Sequence, residues 1–281
     1  MGKTQGPALG ASRLIRSEVD GAGLELWTAG SGPDVVVVEG GGTNAASYRR
    51  LVARLAERAQ VHIYDRRGRG GSAPRPDDYG LATEVGDLQT ILAETGAGRV
   101  VGHSVGGLMA LAAARQTPIE RLALFDPAVS IDGSFPLDFL PDLERAVARG
   151  HLVDAVVVAG RGLRTPGSSL PRPLQRAAVR ALMRTGPGRT MVELVGTVPP
   201  ESRFVEQEDG PAEQWAGVTA TTRIFIGARS PRYYLPAAQS LAGALPSAEV
   251  EVLPRLGHDA VARATWPVVD TLASFLGLTG P

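Results

Sequence analysis

No cysteine occurs among the 281 residues, and a single lysine, Lys3, stands among 29 basic side chains. The absence of cysteine excludes disulfides, thiolate catalysis and cysteine-based zinc or iron–sulfur sites. No apolar run reaches the roughly 18 residues of a transmembrane helix. The first 21 residues contain no apolar stretch of the kind a signal peptide needs. These absences predict a protein without a membrane span, located in the cytoplasm.

Neither sign of charge is in excess, because the chain has 29 Lys and Arg residues and 29 Asp and Glu residues. A balanced chain creates no overall field that would attract nucleic acid or an anionic membrane. Basic residues are not interleaved with aromatic ones, as they are on many nucleic-acid-binding faces. We therefore expect a small-molecule substrate and no nucleic-acid partner.

Short apolar runs rich in valine and isoleucine alternate with helical patterns. Most of the runs do not alternate apolar with polar residues, which indicates strands covered on both faces. The rhythm predicts an α/β fold with a mostly parallel central sheet flanked by helices. The predicted strands are 23–29, 34–39, 60–65, 99–103, 119–126, 221–227 and 248–254. The predicted helices are 45–58, 83–95, 105–116, 234–245 and 261–276.

The alternation stops in the middle of the chain. Residues 131–215 are helical in pattern, are punctuated by proline and glycine, and contain no clear parallel strand. We expect them to form an inserted helical cap, with 1–130 and 216–281 forming the core domain. The alternative is a crossover with extra helices and no role in substrate choice.

The segment Gly102-His103-Ser104-Val105-Gly106 has the pattern G-x-S-x-G between a predicted strand and a predicted helix. At such a corner a serine is lifted above the sheet edge, and glycines two positions away avoid clashes with the strand and the helix. The pattern in this context predicts that Ser104 is a nucleophile. The alternative is a tight turn that happens to contain a hydroxyl.

Four motifs in sequence order resemble the α/β-hydrolase superfamily, and the resemblance covers nearly the whole chain. It implies an α/β-hydrolase fold and the chemistry of a serine esterase or lipase. The motifs are VVVVEGGGTNAASY (35–48), YDRRGRGGS (64–72), GHSVGG (102–107) and LPRLGHDAV (253–261). The arginine-rich second motif resembles a structural loop of the family.

A serine hydroxyl needs a base to take its proton. His258 follows the last apolar run on a loop and matches the family's catalytic histidine, so it is the predicted base. Of the other three histidines, His103 adjoins the serine and is expected to point to the opposite face. His62 lies inside a predicted strand and is expected to be packed, and His151 lies in the insertion and is expected at the surface.

The acid departs from the commonest pattern of the family. Many members carry it after the strand that matches 221–227, but residues 227–232 contain no carboxylate. Some members place it after the preceding strand, where Asp126 stands before Pro127. Asp126 is therefore the predicted acid, which would hold the imidazole in the required tautomer. Asp132 is the weaker rival, and Asp259 is expected to cap the next helix.

The oxyanion hole requires backbone N–H donors. The resemblance implies Val105, directly after the nucleophile, and a residue of the glycine run after the strand 34–39. Gly41 is the first choice and Gly42 the second. Glu39 stands where many relatives have a structural histidine, a change that leaves the chemistry intact.

These residues predict a serine hydrolase that cleaves a carboxylic ester, lactone or thioester of a small, partly apolar substrate through an acyl-enzyme. No metal or organic cofactor is implied. One alternative uses the same triad for C–C hydrolysis, acyl transfer or a biosynthetic cyclase or lyase step. Another is a catalytically inactive binding module with this fold.

Overall fold

The central sheet has eight strands in the part of the chain that the structure, a computed structural model, describes: residues 9–278. Residues 1–8, which include Lys3 and begin the region where a signal peptide would lie, are outside this range. The strands occur in the order β1-β2-β4-β3-β5-β6-β7-β8, and all pairs from β4 to β8 are parallel. They are β1 (Ala11–Arg16), β2 (Gly23–Gly30), β3 (Asp34–Val38), β4 (Gln60–Tyr64), β5 (Arg99–His103), β6 (Arg121–Phe125), β7 (Thr221–Gly227) and β8 (Ala248–Leu253).

The seven predicted strands are present, but the sequence does not reveal β1. This strand pairs antiparallel with β2 at the sheet edge, and β2 pairs antiparallel with β4. Only Ile15 of β1 is buried, and its sequence ASRLIR contains two arginines. An exposed edge strand of this kind is held by backbone pairing and therefore has no apolar run to reveal it.

Helices cover both faces of the sheet. On one face α2, α3 and α9 pack with residues such as Leu88, Leu108 and Leu241, and on the other α1 and α11 pack with residues such as Leu51 and Leu272. The helices are α1 (Arg49–Leu55), α2 (Leu81–Thr95), α3 (Val105–Ala114), α4 (Leu140–Ala148), α5 (Leu152–Gly162), α6 (Arg172–Leu182), α7 (Gly186–Glu193), α8 (Val198–Gln207), α9 (Tyr234–Ala244), α10 (Ala260–Arg263) and α11 (Trp266–Leu276).

Two predicted helices differ from the structure. The one predicted over 45–58 begins as a 3-10 turn, Ala45–Tyr48, before α1. The one predicted over 261–276 is divided at Ala264, which adopts φ +51°. Pro267 explains the division, since proline has no N–H to donate and is favoured in the first turn of a new helix.

Helices α4 to α8 lie between β6 and β7. The two ends of this segment meet, because Ile131 and Gly210 form an isolated parallel bridge and the N–H of Asp132 donates to the carbonyl of Gly210 at 3.1 Å. The segment has small apolar clusters of its own, one of them around Phe139 and Leu143. Among all helices of residues 9–278, none is long and apolar enough to cross a membrane.

The turn from β5 into α3 leaves no space for a side chain at Gly106. A Cβ there would lie 2.4 Å from the carbonyl oxygen of Glu39 and 2.5 Å from that of Val38. Backbone atoms cannot yield as flexible side chains do, so we expect Gly106→Ala to lower the free energy of unfolding by about 1–3 kcal/mol. Denaturant unfolding would measure this change.

Gly243 on the exposed side of α9 provides the matched control. A Cβ there meets nothing within 4 Å. Because alanine restricts the unfolded chain more than glycine, Gly243→Ala should raise the free energy of unfolding by about 0.5–1 kcal/mol. Equal effects of the two substitutions would contradict the close approach at Gly106.

Candidate active site

Ser104 occupies the corner between β5 and α3 with φ +54° and ψ −124°. This backbone conformation is rare for a residue with a side chain and costs on the order of 1–3 kcal/mol. The surroundings hold it in place: the N–H of Ser104 donates to the carbonyl of Phe125 at 3.1 Å, and the N–H of Ala128 donates to the carbonyl of Ser104 at 2.9 Å. Ser104 is thus fixed beside the carboxyl end of β6.

Asp126 follows β6 directly and contacts the predicted base. Its Oδ2 lies 3.1 Å from Nδ1 of His258 and accepts a hydrogen bond from the hydroxyl of Ser230 at 2.6 Å. The N–H of Gly227 donates to Oδ1 at 3.1 Å. Asp126 is fully buried and, like Ser104, has a positive φ of +41°. Three donors therefore fix this carboxylate at the same sheet edge as Ser104.

The other two aspartates considered from the sequence are placed differently. Asp132 is exposed on the loop beyond Asp126. Asp259 stands directly before α10 but makes no side-chain capping bond, and its carboxylate pairs with Nε of Arg263 at 2.7 Å. The capping prediction for Asp259 is therefore wrong: one helical turn separates it from Arg263, and the ion pair takes the carboxylate.

The imidazole of His258 lies between two other rings. The ring of Tyr234 is stacked on it with centroids 5.2 Å apart and an angle of 13°, and the ring of His103 lies 4.6 Å from it. Within residues 9–278, no hydrogen bond joins the Ser104 hydroxyl to His258. Contacts between a nucleophile and its base are often long before substrate binds and tighten in the Michaelis complex. Tyr234 was not singled out from the sequence, because its neighbours come from distant parts of the chain.

His103 connects the histidine loop with the glycine run. Its Nε2 lies 2.9 Å from the carbonyl of His258, so this nitrogen carries the proton. Its Nδ1 then accepts from the hydroxyl of Tyr48 at 2.6 Å, and that hydroxyl accepts from the N–H of Gly40 at 2.9 Å. Burial lowers the pKa of His103 well below its ordinary value, so the ring is neutral.

The remaining two histidines are placed as expected. His62 is buried in β4, with Nδ1 2.9 Å from the hydroxyl of Thr28 and Nε2 2.9 Å from Oδ1 of Asp34. His151 is exposed before α5. Neither lies among the contacts of the Asp126–His258 pair.

The two residues expected to supply the oxyanion donors, Val105 and Gly41, both lie beside the serine corner. Val105 is the first residue of α3, where a backbone N–H has no acceptor within the helix. Gly41 follows Gly40, whose Cβ position would be only 3.3 Å from Cβ of Ser104. Gly42, the second choice, has φ +63°. The glycine run thus packs directly against the serine.

A buried group of charged side chains contacts the glycine run. Oε1 of Glu39 lies 3.0 Å from Nη1 of Arg69, and Arg66 contacts Glu84 at 3.1 Å and Glu201 at 3.3 Å. Burial raises the pKa of Glu39 to about 8, although Arg69 and Arg66 act to lower it. The family resemblance identifies the arginines only as part of a structural loop, and the link to Glu201 on α8 cannot be derived from local sequence.

Metal coordination has no evident place at this edge. Among residues 9–278, no group of three or more His, Asp or Glu side chains is arranged to hold a metal ion.

A comparison with known protein families gives a match over most of the chain. Residues 35–267 match the model of the alpha/beta hydrolase family. The chain belongs to this family. The matched residues include the glycine run, the serine corner, Asp126 and His258. Of the described elements, they leave out β1, β2, the first residue of β3 and all of α11 after its first two residues.

Relatives of this alpha/beta hydrolase match its sequence over different lengths. An uncharacterized protein of Mycobacterium tuberculosis is 32% identical over 163 residues, which are 52% of this chain and 48% of that protein. The chain therefore spans about half the length of that relative. The pimeloyl-[acyl-carrier protein] methyl ester esterase of Chromobacterium violaceum is 28% identical over 253 residues, 84% of this chain and 91% of that one.

A solved structure is similar over nearly the whole molecule. The crystal structure of an alpha/beta hydrolase from Sphaerobacter thermophilus covers 92% of this chain and 99% of its own, with a TM-score of 0.75 and 29% sequence identity. The similarity supports the order of strands and helices described above.

Proposed function

We propose that this alpha/beta hydrolase is a serine hydrolase with Ser104 as nucleophile, His258 as general base and Asp126 as acid. The observation that carries the proposal is the contact of 3.1 Å between Asp126 Oδ2 and His258 Nδ1, at the edge where Ser104 is held in a strained corner. Strained serines at strand-to-helix turns are a known device for exposing a nucleophile.

The proposed reaction has two steps. The Ser104 hydroxyl attacks the carbonyl carbon of the substrate while His258 Nε2 takes its proton, and the same proton then goes to the leaving group. Water next attacks the acyl-enzyme, with His258 again taking the proton and returning it to Ser104. Asp126 accepts a hydrogen bond from the Nδ1–H group of His258, which leaves Nε2 unprotonated and free to act as the base.

Negative charge develops on the carbonyl oxygen in both steps. The N–H groups of Val105 and Gly41 are the proposed donors to this oxygen. Donors fixed by the fold stabilise such charge without reorganisation at the moment of reaction. The side chain of Glu39 points into the arginine group, so it does not occupy the face of the loop on which the N–H of Gly41 is proposed to act.

The proposed substrate is a carboxylic ester, lactone or thioester. A serine at the corner favours acyl transfer, since it forms an acyl-enzyme with such carbonyl compounds. The similarity to an enzyme named as a methyl ester esterase favours an ester. We propose residues 131–215, with α4 to α8, as the cap over this site, and its apolar clusters around Phe139 and Val179 favour a partly apolar substrate.

A fluorophosphonate probe tests the proposal, because it phosphonylates only a serine that a base activates. We expect stoichiometric labelling, with the adduct on the peptide that contains Ser104. Hydrolysis of p-nitrophenyl esters of graded chain length, compared with lactones and thioesters, would then identify the substrate class. A folded wild-type protein that remains unlabelled would contradict the proposal and favour a binding module.

A further inference from the structure

The carbonyl oxygen of Gly40 accepts three hydrogen bonds, two of them from arginines. Arg66 Nη2 donates at 3.0 Å, Arg69 Nη1 at 3.1 Å and Thr43 Oγ1 at 2.8 Å. A trans peptide places its C=O and N–H on opposite sides. Because the C=O of the Gly40–Gly41 peptide is held towards the guanidiniums, the N–H of Gly41 is held facing away from them.

The two guanidiniums also change the strength of this donor. Hydrogen bonds from charged donors are stronger than neutral ones, and linked bonds polarise each other by roughly 10–30% in a medium of low dielectric constant. Arg66 and Arg69 are both almost completely buried. Their pull on the carbonyl oxygen draws electrons from the Gly41 nitrogen and makes its N–H a better donor.

Glu201 on α8 connects the arginines with the proposed cap. Its Oε1 lies 3.3 Å from Arg66 and 2.8 Å from Arg75 and also pairs with Arg69. Burial acts to raise the pKa of Glu201, but the three arginines together lower it, so this carboxylate is ionised. Its other oxygen, Oε2, lies 3.0 Å from the place that a Cβ on Gly41 would occupy.

We propose that Arg66 and Arg69 are positioning residues for the oxyanion donor of Gly41, and that Glu201 anchors them from α8. The inference rests on the proposed function, since it needs Gly41 to act on a developing oxyanion. The inference also means that α8, a helix of the proposed cap, influences kcat. It does so through the arginines that hold the glycine run, whatever part the cap has in substrate entry.

Removal of one partner alone would leave a buried charge without its counterion, which strongly destabilises proteins. Replacement of both partners of a buried ion pair by apolar residues is often neutral. The test variant is therefore Arg69→Met combined with Glu201→Met, which removes one charge of each sign from the buried group and leaves Arg66 paired with Glu39 and Glu84. Glu201→Gln alone is a second variant, which keeps the side-chain shape. Arg203→Met combined with Glu206→Met is the control: this exposed pair on α8 lies 2.6 Å apart, Arg203 also pairs with Glu144 of α4, and within residues 9–278 neither side chain hydrogen-bonds to the glycine run.

The readouts are the rate constant for phosphonylation of Ser104 and kcat and KM for an ester. Loss of one complete oxyanion donor lowers kcat by about 100- to 1,000-fold, so misalignment of Gly41 should lower kcat and the phosphonylation rate constant by about 10- to 100-fold. KM should change little, because the ground-state carbonyl depends less on this donor. The control pair should react at the wild-type rate.

A merely structural role would lower the labelled fraction or the melting temperature, while the folded fraction reacted at the wild-type rate constant. That result in either test variant would overturn the inference and leave the proposed function intact. A wild-type protein that is not labelled would overturn the proposed function, and the inference with it.

Discussion

Ser104→Ala is expected to lower kcat for an ester substrate by about 10⁴- to 10⁶-fold. The substitution removes the atom that forms the acyl-enzyme, while the backbone bonds to Phe125 and Ala128 remain. Rate measurements with a p-nitrophenyl ester, with the variant purified separately from the wild type to avoid carry-over, would determine the change.

The same variant should not react with the fluorophosphonate probe. Alanine tolerates φ +54° no better than serine, so circular dichroism and the melting temperature must show that the variant is folded. A folded Ser104→Ala protein with wild-type turnover would show that another group attacks the substrate.

Asp126→Asn is expected to lower kcat by about 10⁴-fold. The asparagine amide would present a donor to His258 Nδ1 where the carboxylate now lies 3.1 Å away, and the ring would adopt the wrong tautomer. Asparagine accepts the positive φ of +41° at this position, so the backbone should be retained. Steady-state kinetics of the folded variant would measure the loss.

Ser230 offers a sharper form of this test. Its hydroxyl lies 2.6 Å from the same oxygen of Asp126 that contacts His258. A carboxylate introduced at 230 is therefore close to the imidazole, and Asp126→Asn combined with Ser230→Asp should be more active than Asp126→Asn alone. Ser230→Ala is the control, since it removes the hydroxyl without adding a carboxylate. Full activity of Asp126→Asn would show that Asp126 is not the acid.

Most of the core fold could be predicted from the sequence because buried strands have an apolar pattern. The run 99–103 and the strand Arg99–His103 coincide, and 221–227 likewise coincides with Thr221–Gly227. Strand β1 was missed for the opposite reason, because its side chains are mostly exposed. The break at Ala264 was missed as well, although Pro267 in the first turn of α11 is a local signal for a new helix.

Asp126 and His258, the acid and base predicted from the sequence, lie in contact and their roles are part of the proposal; the groups around them could not be predicted. Family resemblance indicated the end of β6 as one of two positions for a carboxylate. The hydrogen bonds from Ser230 and Gly227 and the ring of Tyr234 depend on how distant segments pack. The same is true of Glu201, which reaches the glycine run only because α8 folds back over the sheet edge.

The bridge between Ile131 and Gly210 has a consequence for how such proteins diversify. Since the two ends of the inserted segment meet at this bridge, a different set of helices could be transplanted there without altering the strands. Glu201 on α8 restricts that exchange, because it forms ion pairs with three arginines of the core domain: Arg66, Arg69 and Arg75. A replacement set of helices would therefore need an acidic residue at the position of Glu201. Without one, the arginines next to the glycine run would lose a buried counterion.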